Sequence, residues 1–221
     1  MSTSAPDLTM LRLIHAALRR DIARLLTGVR TVPIERGVVD QWELFAKHLT
    51  GHHTSEDRLV WPVLAERGGD AAVDVIAAMN DEHGQIEPVL VEVTDGFRRH
   101  VAAPSQGSWD ELTATLERFG EMLEGHLRHE ESAAIPLVEQ YLTAADIERV
   151  GEQTRREAGI RGARVFLPWV LEEAPAGDTA HVLTEMPPPF RLLVRRWRKR
   201  HARDVAAAFS RPARAAQTRA P

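Results

Sequence analysis

Four stretches of the chain place apolar residues at alternating steps of three and four, the period of a helix with one oily face. Leu11, Leu18, Ile22 and Leu26 share the first face with His15. The second carries Trp42, Phe45, Leu49, Leu59 and Val63 together with His52 and Glu56. The third sets Ile76, Met79, Ile86, Leu90 and Val93 around His83. The fourth sets Leu112, Leu116, Phe119, Leu123, Ala133 and Leu137 around His126 and Glu130. Breaks fall at residues 31–37, where Pro33 sits, at the glycines 68–69, and at 104–107. Connections this short suit antiparallel neighbours, so the pattern predicts an all-α, up-down-up-down four-helix bundle over residues 1–142. Residues 143–221 are then a helical C-terminal extension.

The chain also repeats itself. GHHTSEDRLVWPVL at 51–64 matches GHLRHEESAAIPLV at 125–138 in its glycine, histidine, glutamate, proline and closing apolar residues. His15 and His83 each stand one helix earlier, so the bundle reads as two related helix pairs with approximate two-fold symmetry. Pro62 and Pro136 lie six residues after the matching glutamates. A proline inside a helix removes a backbone hydrogen bond, so these two are expected to bend their helices, or else to mark where the helices end.

Burial and polarity conflict on the four faces. His15, His52, Glu56, His83, His126 and Glu130 occupy positions that the apolar stripes reserve for the core. An unpaired buried carboxylate costs several kcal/mol, or neutralises. Six such groups need a common partner, and a metal supplies one. The chain has no cysteine, which removes disulfides, thiolate metal sites and cysteine nucleophiles together. Histidine and carboxylate must therefore hold any metal. His52 and Glu56, like His126 and Glu130, are four residues apart and project from one helix face about a turn apart. One such pair plus a histidine from another helix gives two imidazoles and a carboxylate, a set that suits non-haem Fe(II) with positions left open. Zinc is the competing ion, although six mixed donors favour a dinuclear centre over a closed four-coordinate zinc site.

These residues carry a resemblance. With His15, GHHTSED, DEHGQI and GHLRHEE, residues 8–142 resemble the hemerythrin-like family, the HHE cation-binding domain. The resemblance implies a four-helix bundle holding two iron ions, oxo- or hydroxo-bridged. It makes His15, His52, Glu56, His83, His126 and Glu130 the ligands, with Glu56 and Glu130 as bridges. With one histidine on the third helix before His100, the chain looks like the four-histidine, two-glutamate form rather than the oxygen-storing one. Ferritin-like proteins are a different case: they need Glu-x-x-His pairs, and none of the ten histidines follows a glutamate at that spacing.

Other residues near these motifs could mislead. His53 with Asp57 has the same spacing as His52 with Glu56, but it is read as lying off the core stripe. His48, one turn before His52, is a candidate to support a ligand. His129 is expected to be exposed. Glu82 and Glu87 bracket His83, and either is a candidate seventh ligand on what reads as a solvated face. Tyr141, the only tyrosine, is read as a packing residue with its hydroxyl at the rim. His181 and His201 have no partner motif.

Charge separates the extension from the bundle. Residues 186–221 hold ten Lys/Arg and one acid, Asp204, for +9, while residues 1–185 hold 18 and 31, for −13. Thr143 and Asp146 predict a capping box that opens a short helix, and RVFLPWVL at 164–171 is an apolar cluster expected to cover the bundle or a second subunit. Residues 190–209 read as a basic amphipathic helix. Such a helix can meet an anionic membrane or nucleic acid, but is expected to pack its apolar side on the acidic bundle. The Arg/Ala-rich end from Ser210 is expected to be disordered. No secretory signal or apolar run long enough for a membrane span is apparent, so a cytoplasmic location is expected. The expected function is binding or reduction of dioxygen, hydrogen peroxide or nitric oxide, with peroxide removal the first form to test. The alternative is a sensing or regulatory module with a structural metal site.

Overall fold

The computed structural model describes residues 5–31 and 33–210. Helix α1 spans Thr9–Thr31. Helix α2, Arg36–Ser55, runs through a π-helical turn at Glu56–Val60 into α3, Trp61–Gly68. Helix α4, Asp70–Ala102, returns antiparallel. Helix α5, Gln106–His129, runs through a second π-helical turn at Glu130–Ala134 into α6, Ile135–Tyr141. α1 packs on α2 and α5, and α4 packs on the same two, which closes the four-helix bundle. The turn between α3 and α4 is a single residue, Gly69, whose φ of +51° with ψ of −135° lies where a side chain would clash with its own backbone.

Each π turn begins at a repeat-related glutamate. In each, the N–H at its far end bonds five residues back, Trp61 to Glu56 and Ile135 to Glu130. One extra residue per turn moves the apolar face on by one position. The expected core positions Leu59, Val63, Ala133 and Leu137 are accordingly only part-buried, while Leu64, Ala134 and Val138, each one position on from an expected one, are buried, as is Trp61. Pro62 and Pro136 follow at the start of α3 and α6. Neither can donate a backbone hydrogen bond, so the helix ladder changes register there without leaving a donor stranded.

The apolar interior is in two parts. The larger cluster holds Trp42 with Phe45 and Phe97 stacked at ring-centre distances of 5.4 and 5.5 Å and Phe119 edge-on at 5.4 Å. The smaller holds Leu8, Trp61, Leu64, Met79, Val138 and Leu142. On α1, α2–α3, α4 and α5–α6 alike, the residues between the two clusters are the histidines and glutamates of the repeated motifs.

The extension begins with the Thr143–Asp146 capping box. Asp146 is buried and also ion-pairs with Arg67 and Arg149. Helix α7 runs over Ala144–Val170 and is broken at Gly159, so a short first helix is followed by one containing the RVFLPWVL cluster. Trp169 and Leu171 join the larger apolar cluster. Helix α8, Ala176–Thr184, leads to α9, Pro188–Phe209, which packs on α2 and α7 through Val194 and Val205. Phe209 sits so close to Gly28 that a Cβ there would come within 2.5 Å of its ring. Among the described residues, no helix is long and apolar enough to cross a membrane. The end expected to be disordered, residues 211–221, lies outside the described residues.

Candidate metal centre

Seven buried side chains fill the layer between the apolar clusters, in two groups whose donor atoms all lie within 4.8 Å of one another. One group is His15, His52, Glu56 and Glu130; the other is His53, His83 and His126. All six residues expected from the sequence are therefore together in one layer, and His53 joins them. Glu130 reaches His15 Nε2 at 3.1 Å and His52 Nε2 at 4.0 Å. Glu56 lies between the groups, 3.3 Å from His52 Nδ1 and 3.6 Å from His83 Nε2. The rings of His53 and His83 stack at 3.9 Å, and His126 meets both edge-on, at 5.0 and 4.8 Å.

An outer ring of carboxylates decides which nitrogen each imidazole turns inward. His15 Nδ1 donates to Glu131 at 2.9 Å, His83 Nδ1 to Asp57 at 2.8 Å, and His126 Nδ1 to Glu82 at 2.8 Å. An ionised carboxylate can only accept, so each Nδ1 carries a proton and each Nε2 faces the interior. At His15, burial is outweighed by Glu130 and Glu131, which raise the imidazole. Asp57 and Glu131 each follow an inward glutamate at the start of a π turn. Each half of the repeat therefore offers one carboxylate to the layer and uses the next to hold the other half's histidine.

The symmetry is incomplete. Glu82 precedes His83, but Ile14 precedes His15, so no matching carboxylate holds His52. His53 corresponds to Leu127, so one half contributes an extra imidazole where the other has an apolar side chain. That same match was the available signal for His53: a position that is apolar in one half faces inward in both.

The electrostatics describe a buried layer rich in unsatisfied donors. The Nε2 atoms of His15, His52, His53, His83 and His126, both Glu56 oxygens and Glu130 Oε2 are buried without a hydrogen-bond partner among the described residues. Such orphaned groups are expensive to keep and point to a ligand that satisfies them. Burial pushes His52 down to about 3 and drives His53 lower still. It also lowers His126, against the pull of Glu82. These rings are neutral and ready to donate lone pairs. Burial and the neighbouring Glu130 raise the Glu56 carboxyl well above the usual carboxylate range. For Glu130, burial is outweighed by contact with His15 and the surrounding imidazoles, and its carboxyl is lowered. The inward donors are five imidazole nitrogens and two carboxylates, with no sulfur. That chemistry fits binding of a borderline transition-metal ion.

The remaining candidates fall outside this layer. His129, expected to be exposed, is half-exposed and donates Nδ1 to Glu82 at 2.6 Å, so Glu82 holds two histidines and is not aimed inward. Glu87 is exposed. His48 is part-buried against Trp169, rings stacked at 4.1 Å, and desolvation lowers it to about 3. Tyr141 packs in the smaller apolar cluster beside Gly68. His181 pairs with Asp7 and His201 with Glu172.

Residues 7–138 match the family model of the hemerythrin HHE cation-binding domain. Comparison with curated proteins and with solved structures gives no match.

Proposed function

The chain belongs to the hemerythrin HHE cation-binding domain family, and on that premise we propose that it holds two non-haem irons and reduces or disproportionates a small oxidant, hydrogen peroxide first. The observation that carries this reading is the layer of orphaned, inward-facing donors. His53, His83 and His126 would hold one iron and His15, His52 and Glu130 the other, with Glu56 within reach of both groups. When bound, such a pair supplies two redox centres that share the two electrons an O–O bond takes up. Zinc fits less well, because a closed zinc site uses four donors and would leave several of these unsatisfied.

The chain's own residues prepare the site. Glu131, Asp57 and Glu82 fix three imidazoles before any ion arrives, so metal binding does not have to order them. The apolar clusters on either side bury the layer and keep bulk water away from its donors.

The test is oxygen evolution from peroxide by iron-loaded protein, two peroxides giving one dioxygen and two waters. Turnover at least tenfold above the Glu56→Ala/Glu130→Ala variant supports the reading, and equal rates overturn it. A second reading, an iron or oxygen sensor, draws on the contact of α7 and α9 with α2. His48, one turn from His52, is stacked on Trp169 of α7. It requires chelation to change exposure of the extension, measured by proteolysis of residues 143–210. A digestion pattern identical with and without iron removes it.

A further inference from the structure

We propose that the outer face of α9 is a docking surface for lipid bilayers bearing anionic phosphate headgroups. The apolar side of α9 is already used against α2 and α7, through Val194 and Val205. What it turns to solvent is cationic: Arg195, Arg196, Lys199, Arg200 and Arg203 are all exposed. Arg200 pairs with Asp204 at 3.6 Å, and Arg203 reaches only the Lys199 carbonyl. The side chains of Arg195, Arg196 and Lys199 have no ion pair or hydrogen bond among the described residues. The residues outside the described ones, 1–4, 32 and 211–221, contain no Asp or Glu to neutralise them, and add Arg211, Arg214 and Arg219. Among the described residues, the charge on the outer face of α9 is therefore not spent on the acidic bundle.

Apolar surface continues from the same face. Leu192 is 66% exposed and Leu193 41%, an unusual state for two adjacent leucines on a packed helix. Leu192 also lines an open cleft of about 400 Å³ with Leu183, Pro188, Arg191 and Arg195. Arg191 is tied to the Met186 and Thr184 carbonyls at 2.8 Å each, which leaves the free guanidinium of Arg195 at the rim.

Cations beside exposed leucines are what an anionic membrane surface complements: phosphates meet the guanidinium and ammonium groups, and the leucines leave water for the acyl boundary. A nucleic acid would engage the charges but leave the leucines in water. A second copy of the chain would bring its acidic bundle, whose exposed Val73, Val91 and Val101 are single valines spaced along α4 rather than a continuous apolar layer.

The test is co-sedimentation of the full chain with vesicles of phosphatidylglycerol mixed with phosphatidylcholine, and with phosphatidylcholine alone. Binding is expected only with phosphatidylglycerol and is expected to fall steeply with salt. Each cation near such a surface contributes about 1 kcal/mol, so Arg195→Gln/Arg196→Gln/Lys199→Gln is expected to bind roughly 100-fold more weakly. Leu192→Ser/Leu193→Ser is expected to weaken binding about tenfold while keeping the salt dependence. All five side chains are exposed, and an unchanged helical circular dichroism spectrum checks that both variants fold. Equal binding to the two vesicle types overturns the proposal. So does wild-type affinity in the leucine variant, whether duplex DNA competes the vesicles away or sedimentation velocity shows a dimer that the charge variant loses.

Discussion

Each imidazole held by a carboxylate on Nδ1 presents its other nitrogen to the interior, and that division of labour sets the affinity of the site. Asp57 and Glu131 are half-exposed and touch no inward donor except through the ring they hold. Asp57→Asn and Glu131→Gln are each expected to leave the fold intact and weaken iron binding by about 10–100-fold, measured by competition with a chelator of known affinity. Unchanged affinity in both would mean that packing alone orients the rings. At this scale the sequence was legible for six of the seven inward residues, because each broke an apolar stripe. His53 was not, because a stripe drawn at steps of three and four is narrower than the face a bundle helix buries. The roles of Asp57 and Glu131 were hidden too, since their histidines are 26 and 116 residues away in the chain.

Among the elements, period and breaks were enough to place the four helices. They could not show the π turns, because one inserted residue shifts the stripe without erasing it: Val63 gives way to Leu64, and Leu137 to Val138. The duplicated glutamate and proline were the trace of those turns. The extension is pinned to α1 by a polar cluster. Arg24 reaches Glu172 at 3.1 Å, Arg20 donates to the Glu172 carbonyl at 2.6 Å, and Trp169 donates to Asp21 at 2.7 Å. Burial would raise the Glu172 carboxyl, but His201, Arg24 and Arg20 outweigh it and hold it at about 2. Its folded value lies below the ordinary 4.5, so its stabilisation is complete above pH 4.5 and is lost as pH falls towards 2. Glu172→Gln is therefore expected to lower stability at pH 7 by about 1–3 kcal/mol and to flatten the acid limb of the melting profile in that window. A parallel shift of the profile at every pH would contradict this. The same junction depends on Gly28, where a methyl group collides with Phe209. Gly28→Ala is expected to cost about 1–2 kcal/mol in denaturant unfolding, and to cost nearly nothing in a Phe209→Ala background.

Over the whole molecule, a polar layer divides the core into two apolar blocks, which is a poor way to build a bundle unless something binds the layer together. The position of that layer was readable from the sequence, since all four stripes carry their polar residues at matching depth. That residues 164–171 and α9 would lay their apolar sides on the bundle was expected as well, and they do. Where they land was not legible, because their partners, Gly28, His48 and Asp21, sit among ordinary-looking bundle positions. A pair of irons held through Glu56, Glu130 and the five imidazoles would join the two blocks across the layer. The sharpest test is metal analysis of the purified chain alongside the visible spectrum of the oxidised protein, for wild type and for Glu56→Ala/Glu130→Ala. Two irons per chain are expected, with the charge-transfer absorption of a bridged iron(III) pair, and both are expected to be lost in the variant. A single zinc per chain, or a metal content that the double substitution leaves unchanged, would contradict the diiron layer.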